Sequence, residues 1–493
     1  MAANGFPLLS LLFLTLPAGA ALTWLLPRPE WARRIALITA IIDLIISLVI
    51  VANFDPTQPG FQLVEKINWI PTLNIHYLVG IDGISVLFLP ATVLLFIGVI
   101  LASWNSVHNL PRLYYSLLLL METTTLGIFC SLDTVLFFLF WELSLVPLYF
   151  LVSLWGIGPN RRYAAMKYTL VMLAGGVPLL IGFLMLAFNH AAQTSAGMAF
   201  DLPTLLATPI PRKTELTIFL LLLLGFAVKI PLFPLHTWLP VMTMEGPVAV
   251  TALLVGLKLG AYGLIRFAIP LAPEAAHELH WLLAGLGIVG VLYGAVTALA
   301  QTNLRQMLAY SSLSHVGLVV LGLSSFNLQG LQGSVLQLLN FTVAAGGLFL
   351  LIGFLHHRIG STDIISLGGS ARSMPLLASF TLLFGLAAMG LPGTSGFPAE
   401  LLILLSAIKT HTGAGLAALF AMVVSAAYFL GIYRRAFFGP VTNPVVADAA
   451  DLRPRELAIV LVAATLILAV GFYPSVVLDI IKPAGEVWAA RLR

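Results

Sequence analysis

The stretch LTIFLLLLLGFAVKIPLFPLH, from Leu216 to His236, joins a long apolar run to an end that is broken by two prolines. A helix needs about 20 apolar residues to cross the hydrocarbon core of a bilayer. Pro231 and Pro234 each remove a backbone donor and clash with the preceding turn. In lipid such a break is tolerated only where protein or water satisfies the freed backbone groups. The stretch therefore predicts a membrane-spanning helix that breaks beside an ionisable residue, Lys229.

Apolar runs of this kind recur along the whole chain. Of the 493 residues, 60% are hydrophobic and 9% are charged, whereas soluble domains carry roughly 25% charged residues. The composition predicts an all-α polytopic membrane protein with about fourteen transmembrane helices and no soluble domain. We place the spans at 7–26, 34–52, 83–102, 114–130, 132–154, 167–188, 216–235, 247–268, 276–299, 304–324, 331–356, 375–409, 412–437 and 456–476, with amphipathic connections near 53–80 and 189–215.

The basic residues divide unequally between the two sets of connections. Most arginines fall in or beside odd-numbered connections, and the even-numbered connections hold only Lys66, Arg212, Lys213 and Lys409. Because basic residues stay on the cytoplasmic side, we expect the odd connections to be cytoplasmic. Both termini would then lie on the luminal or periplasmic side.

A second broken helix matches the first. The sequence LPGTSGFP, Leu391 to Pro398, interrupts the twelfth predicted span about 160 residues after Pro231. The two breaks are five spans apart, and an odd number of spans makes consecutive copies of a unit enter the membrane from opposite sides. Inverted repeats with matched discontinuous helices are typical of transporters. We divide the chain into helices 1–3 (1–113), a first repeat (114–268, break near 229–236), a second repeat (276–437, break near 391–398) and a C-terminal helix and tail (456–493).

Five ionisable residues lie within predicted spans, spread over both repeats. A charge at the centre of a spanning helix costs about 2.5–3.5 kcal/mol on insertion scales, so such residues need partners and usually have a function. Burial favours loss of the proton from a lysine, a nearby carboxylate favours its retention, and histidine titrates near neutral pH. The series predicts a proton path, and static ion pairs that hold the bundle together are the alternative. Its members are Glu142, Lys229, Lys258, His315 and Glu400.

Four further residues are secondary candidates for the same path: Asp43, Glu122, His236 and Glu245. Asp43 and Glu122 could equally contact a neighbouring subunit. The sequence contains no dinucleotide-binding glycine motif, no P-loop and no metal-spaced His/Cys set, and Cys130 is the single cysteine. The net charge of +4 is spread along the chain, which argues against binding to nucleic acid.

Several motifs that contain these residues resemble one family. FWEL around Glu142, KIPLFPLHTWLP from Lys229, LKLGAYGLIRF around Lys258, LAYSSLSHVG around His315 and GLPGTSGF before Glu400 resemble the antiporter-like subunits of respiratory complex I and of multisubunit cation/proton antiporters. A glutamate at Glu400 resembles the chain 4 (M-type) subunit. The segment INWIP from Ile67 and VGIDGIS around Asp82 resemble its cyanobacterial and chloroplast version.

The resemblance implies a photosynthetic NDH complex that passes electrons from ferredoxin or NAD(P)H to plastoquinone and pumps protons. The five residues of the series would handle the protons. The chain itself would carry no cofactor, and the quinone, the iron–sulfur clusters and the electron donor would bind other subunits. The partners would be other membrane-arm subunits, including further antiporter-like ones. The implied location is the thylakoid membrane of a cyanobacterium, with a bacterial inner membrane as the alternative.

A few positions depart from the pattern of the family. Val241, Met242 and Thr243 replace more polar residues that the family usually carries before Glu245, Asn303 replaces an acidic residue, and Phe341 replaces a histidine. These departures resemble a specialised paralogue, such as the chain 4 variants in complexes devoted to carbon dioxide uptake, which would have a carbonic-anhydrase-like partner. A sodium/proton antiporter subunit and an assembly scaffold without transport remain open as alternative functions.

Overall fold

The computed structural model describes residues 6–194, 197–441 and 443–492. Eleven helices within these ranges are long and apolar enough to cross a membrane. The elements are α1 (Leu8–Leu25), α2 (Ala32–Ala52), β1 (Gln62–Ile70), β2 (Ile75–Ile81), α3 (Phe88–Ala102), α4 (Pro111–Cys130), α5 (Thr134–Leu143), α6 (Leu145–Trp155), α7 (Arg161–Thr194), α8 (Leu202–Ala207), α9 (Arg212–Lys229), α10 (Trp238–Glu245), α11 (Val248–Gly256), α12 (Leu259–Gly263), α13 (Ile269–Leu271), α14 (Pro273–Glu278), α15 (His280–Leu299), α16 (Leu304–Leu323), α17 (Leu328–Asn340), α18 (Gly346–Ile359), α19 (Ile364–Leu367), α20 (Pro375–Ala388), α21 (Gly396–Thr410), α22 (Thr412–Phe437), α23 (Pro444–Ala447), α24 (Pro454–Phe472) and α25 (Ser475–Ala490).

The fold is that of an all-helical polytopic membrane protein. In the described residues, however, fewer helices are long and apolar enough to cross a membrane than the fourteen that we predicted. Three predicted spans account for the difference. Phe88–Ala102 and Pro375–Ala388 are apolar but shorter than a full span, and Arg212–Lys229 contains four charged residues. The division into two inverted repeats stays a prediction.

Contacts between connections show that successive helices run in opposite directions. Arg112 donates to the carbonyl of Leu26, and Arg33 donates to the carbonyl of Trp104, so the first and third connections meet at one end. The seventh, ninth and eleventh meet there too, through Arg305 with the Thr243 carbonyl and Asn303 with Asp363. We call this end, which holds most of the arginines, the arginine-rich end.

The opposite end carries a short two-stranded sheet, the one sheet in the described part of the chain and a local exception within the all-α architecture that we predicted. Strands β1 and β2 form an antiparallel hairpin in the segment for which we expected only an amphipathic connection. The run Val64 to Trp69 contains two β-branched residues and a tryptophan among its six positions, which favours a strand. Glu65 on β1 accepts hydrogen bonds from the amides of Leu9 and Ser10 at the start of α1. We call this end the hairpin end.

Several helices are interrupted inside the bundle. The predicted breaks lie between α9 and α10 and between α20 and α21. The sequence did not predict two others, at Ser144 between α5 and α6 and at Lys258 between α11 and α12. Two π-helical turns also occur, at Leu264–Ala268 and Phe341–Ala345. Such turns are rare and are often found at functional sites.

Candidate functional site

Lys229 is the last residue of α9 and points towards the break between α5 and α6. Its Nζ lies 3.0 Å from Ser144 Oγ and 3.3 Å from the carbonyl oxygen of Trp141. The ammonium also lies 3.9 Å from the centre of the Trp141 ring, within the range of a cation–π interaction. The interruption at Ser144 thus supplies polar partners for a lysine among apolar helices.

Glu142 is close to Lys229 but does not contact it. The two groups interact electrostatically, yet no ion pair within 4.0 Å joins them in the described residues. Both carboxylate oxygens of Glu142 are buried without a hydrogen-bond partner among the residues that the structure describes. The carboxylate packs against Gly176 of α7, where a Cβ would lie 2.1 Å from Oε1. Glu142 is therefore held by packing and not by hydrogen bonds.

Lys258 lies in an interruption of the eighth span, where we had expected a continuous helix. Helix α11 ends at Gly256 and α12 begins at Leu259, so Lys258 has non-helical backbone angles (φ −98°, ψ 59°). Its Nζ lies 2.6 Å from Ser312 Oγ on α16, and it faces the Phe341 ring at 5.4 Å. Phe341 opens the π-helical turn of the eleventh span. Lys258 thus joins the two halves of the bundle.

His315 and Glu400 lie next to each other near the break between α20 and α21. His315 Nδ1 lies 2.7 Å from the Ser311 carbonyl oxygen, and because a carbonyl only accepts, Nδ1 carries the hydrogen. Nε2 lies 3.4 Å from Glu400 Oε1. Gln337 Nε2 donates to the same oxygen at 3.4 Å. His315 and Glu400, two members of the predicted series, are therefore in contact with each other.

A small cavity connects the Lys258 contact with the His315 contact. Its volume is about 20 Å³, and its polar lining comes from Ser311, Ser312, His315, Gln337 and Asn340. The rest of the lining is apolar, and the cavity has about the volume of one water. Ser312 therefore touches Lys258 on one side and, through this cavity, faces His315 on the other.

The structure separates His236 and Glu245 from this series. His236 lies between the rings of Phe233 and Tyr293, with ring centres 5.7 and 5.0 Å away, and its buried Nδ1 has no hydrogen-bond partner among the described residues. Glu245 accepts a 2.7 Å hydrogen bond from the amide of Asn160, directly before α7. Glu245 thus satisfies a free amide at a helix N-terminus, where negative charge is favoured.

Asp43 and Glu122 form a separate carboxylate pair among α1, α2 and α4. Both are 0% exposed and act electrostatically on each other. Thr15 donates to Asp43 at 3.0 Å, whereas neither oxygen of Glu122 has a partner in the described chain. On α5, Phe140 faces α4 at Gly127 while Glu142 faces α7 at Gly176. Helix α5 therefore separates this pair from Glu142.

Some polar residues of the site were not identified from the sequence. Ser144, Ser312 and Gln337 contact members of the series, and Tyr428 donates to Ser311 at 2.7 Å. Ser311 and Ser312 precede His315 by four and three residues, so helical periodicity could have placed them on its face. Nothing in the sequence around Gln337 or Tyr428 separates them from ordinary polar residues in a bundle.

Three of the five positions that depart from the family pattern make contacts that the structure identifies. Phe341 packs against both Lys258 and His315, with the His315 ring centre 6.2 Å away. Asn303 accepts from the Arg305 amide at the start of α16 and donates to Asp363. The Thr243 carbonyl accepts from Arg305 at 3.2 Å.

Known proteins share both the sequence and the fold. The family profile described as "NADH:quinone oxidoreductase/Mrp antiporter, TM" matches residues 131–425. NADH-quinone oxidoreductase subunit M of Rhodobacter capsulatus is 37% identical, covering 92% of this chain and 89% of its own. NAD(P)H-quinone oxidoreductase chain 4 1 of Synechococcus sp. is 36% identical, with coverages of 99% and 93%.

Among solved structures, a chain of respiratory complex I from Thermus thermophilus superimposes with a TM-score of 0.90 at 32% identity, covering 98% of this chain and 100% of that one. The superposition thus covers nearly the whole chain. The chain belongs to the antiporter-like family of complex I membrane subunits, in which its similarity is to subunit M and chain 4.

Proposed function

We propose that this chain is a proton-translocating subunit in the membrane arm of a complex-I-type NAD(P)H- or ferredoxin-quinone oxidoreductase. The observation that carries the proposal is the contact series from Lys258 through Ser312 and a water-sized cavity to His315 and Glu400. The series lies inside the bundle at interruptions of the helices, where freed backbone groups and water make charge transfer possible. The relatives that match this chain over most of its length are named as subunits of quinone oxidoreductases, which supports the same function.

In the second half of the bundle each group has a neighbour that can take its proton. Lys258 donates to Ser312, and the hydroxyl can relay a proton because it both donates and accepts. A water in the cavity would carry the proton to the imidazole of His315. The protonated ring would then be cationic beside Glu400, 3.4 Å away, which makes the carboxylate the next acceptor.

In the first half the geometry suits an electrostatic trigger. Glu142 has no hydrogen bond to hold its carboxylate, whereas Lys229 has two oxygen partners. The interaction between two charges strengthens steeply as the effective dielectric constant falls. A small movement of Glu142 would therefore decide whether Lys229 keeps its proton, and a charge shift in a neighbouring subunit would supply that movement.

Replacement of Lys229 with alanine in the assembled complex tests this function. Redox-driven proton pumping into proteoliposomes should be abolished or strongly reduced, because the first half loses its proton carrier. Lys213→Ala removes an exposed lysine from the start of the same helix and should pump normally. Unchanged pumping by the Lys229 variant would contradict the assignment.

We further propose that the electron donor is ferredoxin and the acceptor plastoquinone, in a thylakoid complex related to carbon dioxide uptake. Support comes from the chain 4 resemblance around Asp82 and from the departures at Val241, Thr243 and Phe341. The subunit composition of the native complex tests this: a carbonic-anhydrase-like partner would support carbon dioxide uptake, and its absence would favour respiration or cyclic electron flow.

Cation/proton exchange is the competing function, because the same family profile covers antiporter subunits. The purified chain in proteoliposomes distinguishes the two functions. Sodium-dependent proton flux without any electron donor would favour the exchanger, and flux only in the assembled, reducing complex would favour the pump.

A further inference from the structure

An apolar crevice runs between α3 and α24 along most of their length. It consists of two adjoining cavities of about 180 and 280 Å³, which share Ala91, Leu94, Val343 and Leu466 in their linings. One cavity reaches Leu101 near the arginine-rich end, and the other reaches Val477 near the hairpin end. Helix α24, which forms one side of the crevice, also has exposed apolar residues, such as Leu461 and Val462 (48% and 50% exposed). The crevice thus adjoins a surface of the kind that faces lipid.

A second cavity, with polar and basic side chains in its lining, lies beside the crevice at the arginine-rich end. Its volume is about 380 Å³, and its lining includes Ser103 and Asn105, directly after α3, and Arg453 and Arg455 at the start of α24. The same two helices therefore border an apolar slot and, beyond their ends, a polar chamber. This change from apolar to polar matches the two parts of a phospholipid.

Positive charge exceeds negative charge in and beside this chamber. Arg33 and Arg455 lie over the Trp104 ring, 5.1 and 6.0 Å from its centre. The Nε atom of each is buried without a hydrogen-bond partner among the described residues. Glu456, Arg453 and Arg33 all lie within electrostatic range of Arg455. Three guanidinium groups thus lie near one carboxylate.

The acidic residue in the chamber is already engaged. Glu456 forms an ion pair with Arg358 and accepts from the backbone amide of Arg453 at 2.9 Å. Two histidines, His356 and His357, also line the chamber. The chamber therefore favours an anionic occupant, since nothing else in the described lining neutralises the arginines.

We propose that this site binds one anionic phospholipid, with its phosphate against Arg453 and Arg455 and an acyl chain in the crevice between α3 and α24. Basic pockets between transmembrane helices bind anionic head groups, and each arginine near the surface adds to the attraction. We assign a lipid and not a free anion because the apolar crevice and the basic chamber lie next to each other along α3, where Leu101 lines the first and Ala102 the second. The site lies apart from Glu142, Lys229, Lys258, His315 and Glu400.

Native mass spectrometry of the full chain tests the site. The detergent-solubilised protein is incubated with phosphatidylglycerol, with phosphatidylcholine or with inorganic phosphate. We expect one tightly bound phosphatidylglycerol per chain. Arg453→Gln with Arg455→Gln should weaken its binding by roughly tenfold or more, while retaining the backbone contact to Glu456. Ala463→Phe, which fills the crevice, should lower the occupancy without changing the charge.

Arg434→Gln with Arg435→Gln is the matched control, because these exposed arginines lie at the end of α22, outside the chamber lining. It should retain the lipid. Equal loss in the control would show nonspecific attraction and overturn the proposal. So would equal uptake of phosphatidylcholine, displacement by inorganic phosphate, or full occupancy in the Ala463→Phe variant.

Discussion

Single contacts decide how the buried charges can act. Glu400 is fixed by His315 and Gln337, while Glu142 touches only packed neighbours such as Gly176. All five residues of the series were identified from the sequence, because an ionisable residue in an apolar run is conspicuous. Their hydrogen-bond partners were not, because serine and glutamine are common in membrane helices and nothing in their local sequence marks a contact with a distant residue.

Ser312 provides the first prediction at this scale. Ser312→Ala removes the 2.6 Å partner of Lys258, and a hydrogen bond to a charged group is worth about 1.5–3 kcal/mol. We expect proton pumping by the complex to slow by about tenfold. Ser314→Ala is the control, because Ser314 on the same helix donates to the Val291 carbonyl instead. Equal rates in the two variants, measured as redox-driven acidification, would argue against the relay through Ser312.

Gly176 provides the second prediction. A Cβ at this position would lie 2.1 Å from Glu142 Oε1, so Gly176→Ala must displace the carboxylate. We expect an assembled complex in which pumping per electron falls. Gly431→Ala adds a methyl group where nothing lies within 4 Å and should pump normally. A Gly176→Ala complex with the native proton yield would show that the position of Glu142 is unimportant.

At the scale of elements, the site is built from interrupted helices. The breaks near 229–236 and 391–398 were predicted because proline and glycine mark them in the sequence. The interruption at Lys258 and the π-helical turn at Phe341 have no proline, and tertiary packing alone determines them. The hairpin was missed for another reason. The residues that favour a strand form a short run, and almost all other segments of the chain are helical.

The break before α21 gives a prediction about stability. Gly390 has φ +69°, and a Cβ there would lie 2.2 Å from Glu400 Oε2. A residue with a Cβ in the left-handed region costs about 1–2 kcal/mol, so Gly390→Ala should lower the thermal unfolding temperature and displace Glu400. Gly413→Ala has open space around it and no positive φ. If both variants unfold like the wild type, the geometry of this break is not required for stability.

For the whole molecule, contacts between distant segments hold the bundle together. Arg266 forms two hydrogen bonds with Asp82, at 2.7 and 2.5 Å, and both side chains are almost fully buried. Helix α25 closes the same region, since Trp488 donates to the Ile265 carbonyl. Composition predicted a polytopic membrane protein, and the connections alternate between the ends as expected. The sequence did not reveal which distant segments would meet.

Asp82 tests the role of this ion pair. Asp82→Asn leaves the Arg266 charge uncompensated in a buried site, and breaking such a pair costs about 3–5 kcal/mol. The variant chain should unfold at a clearly lower temperature in detergent, whereas Asp82→Leu combined with Arg266→Met should be closer to the wild type. Arg212→Ala breaks an exposed pair with Glu278 and should cost less than about 1 kcal/mol. A similar loss in all three variants would contradict a special role for the buried pair.

The number of protons pumped per electron tests the central claim most directly. In proteoliposomes with the assembled complex, Glu142→Gln combined with Lys229→Met removes the two charged groups of the proposed electrostatic trigger. The pump account predicts normal assembly and quinone reduction with a lowered proton yield per electron. Normal assembly with an unaltered proton yield would contradict it and would make the chain a scaffold.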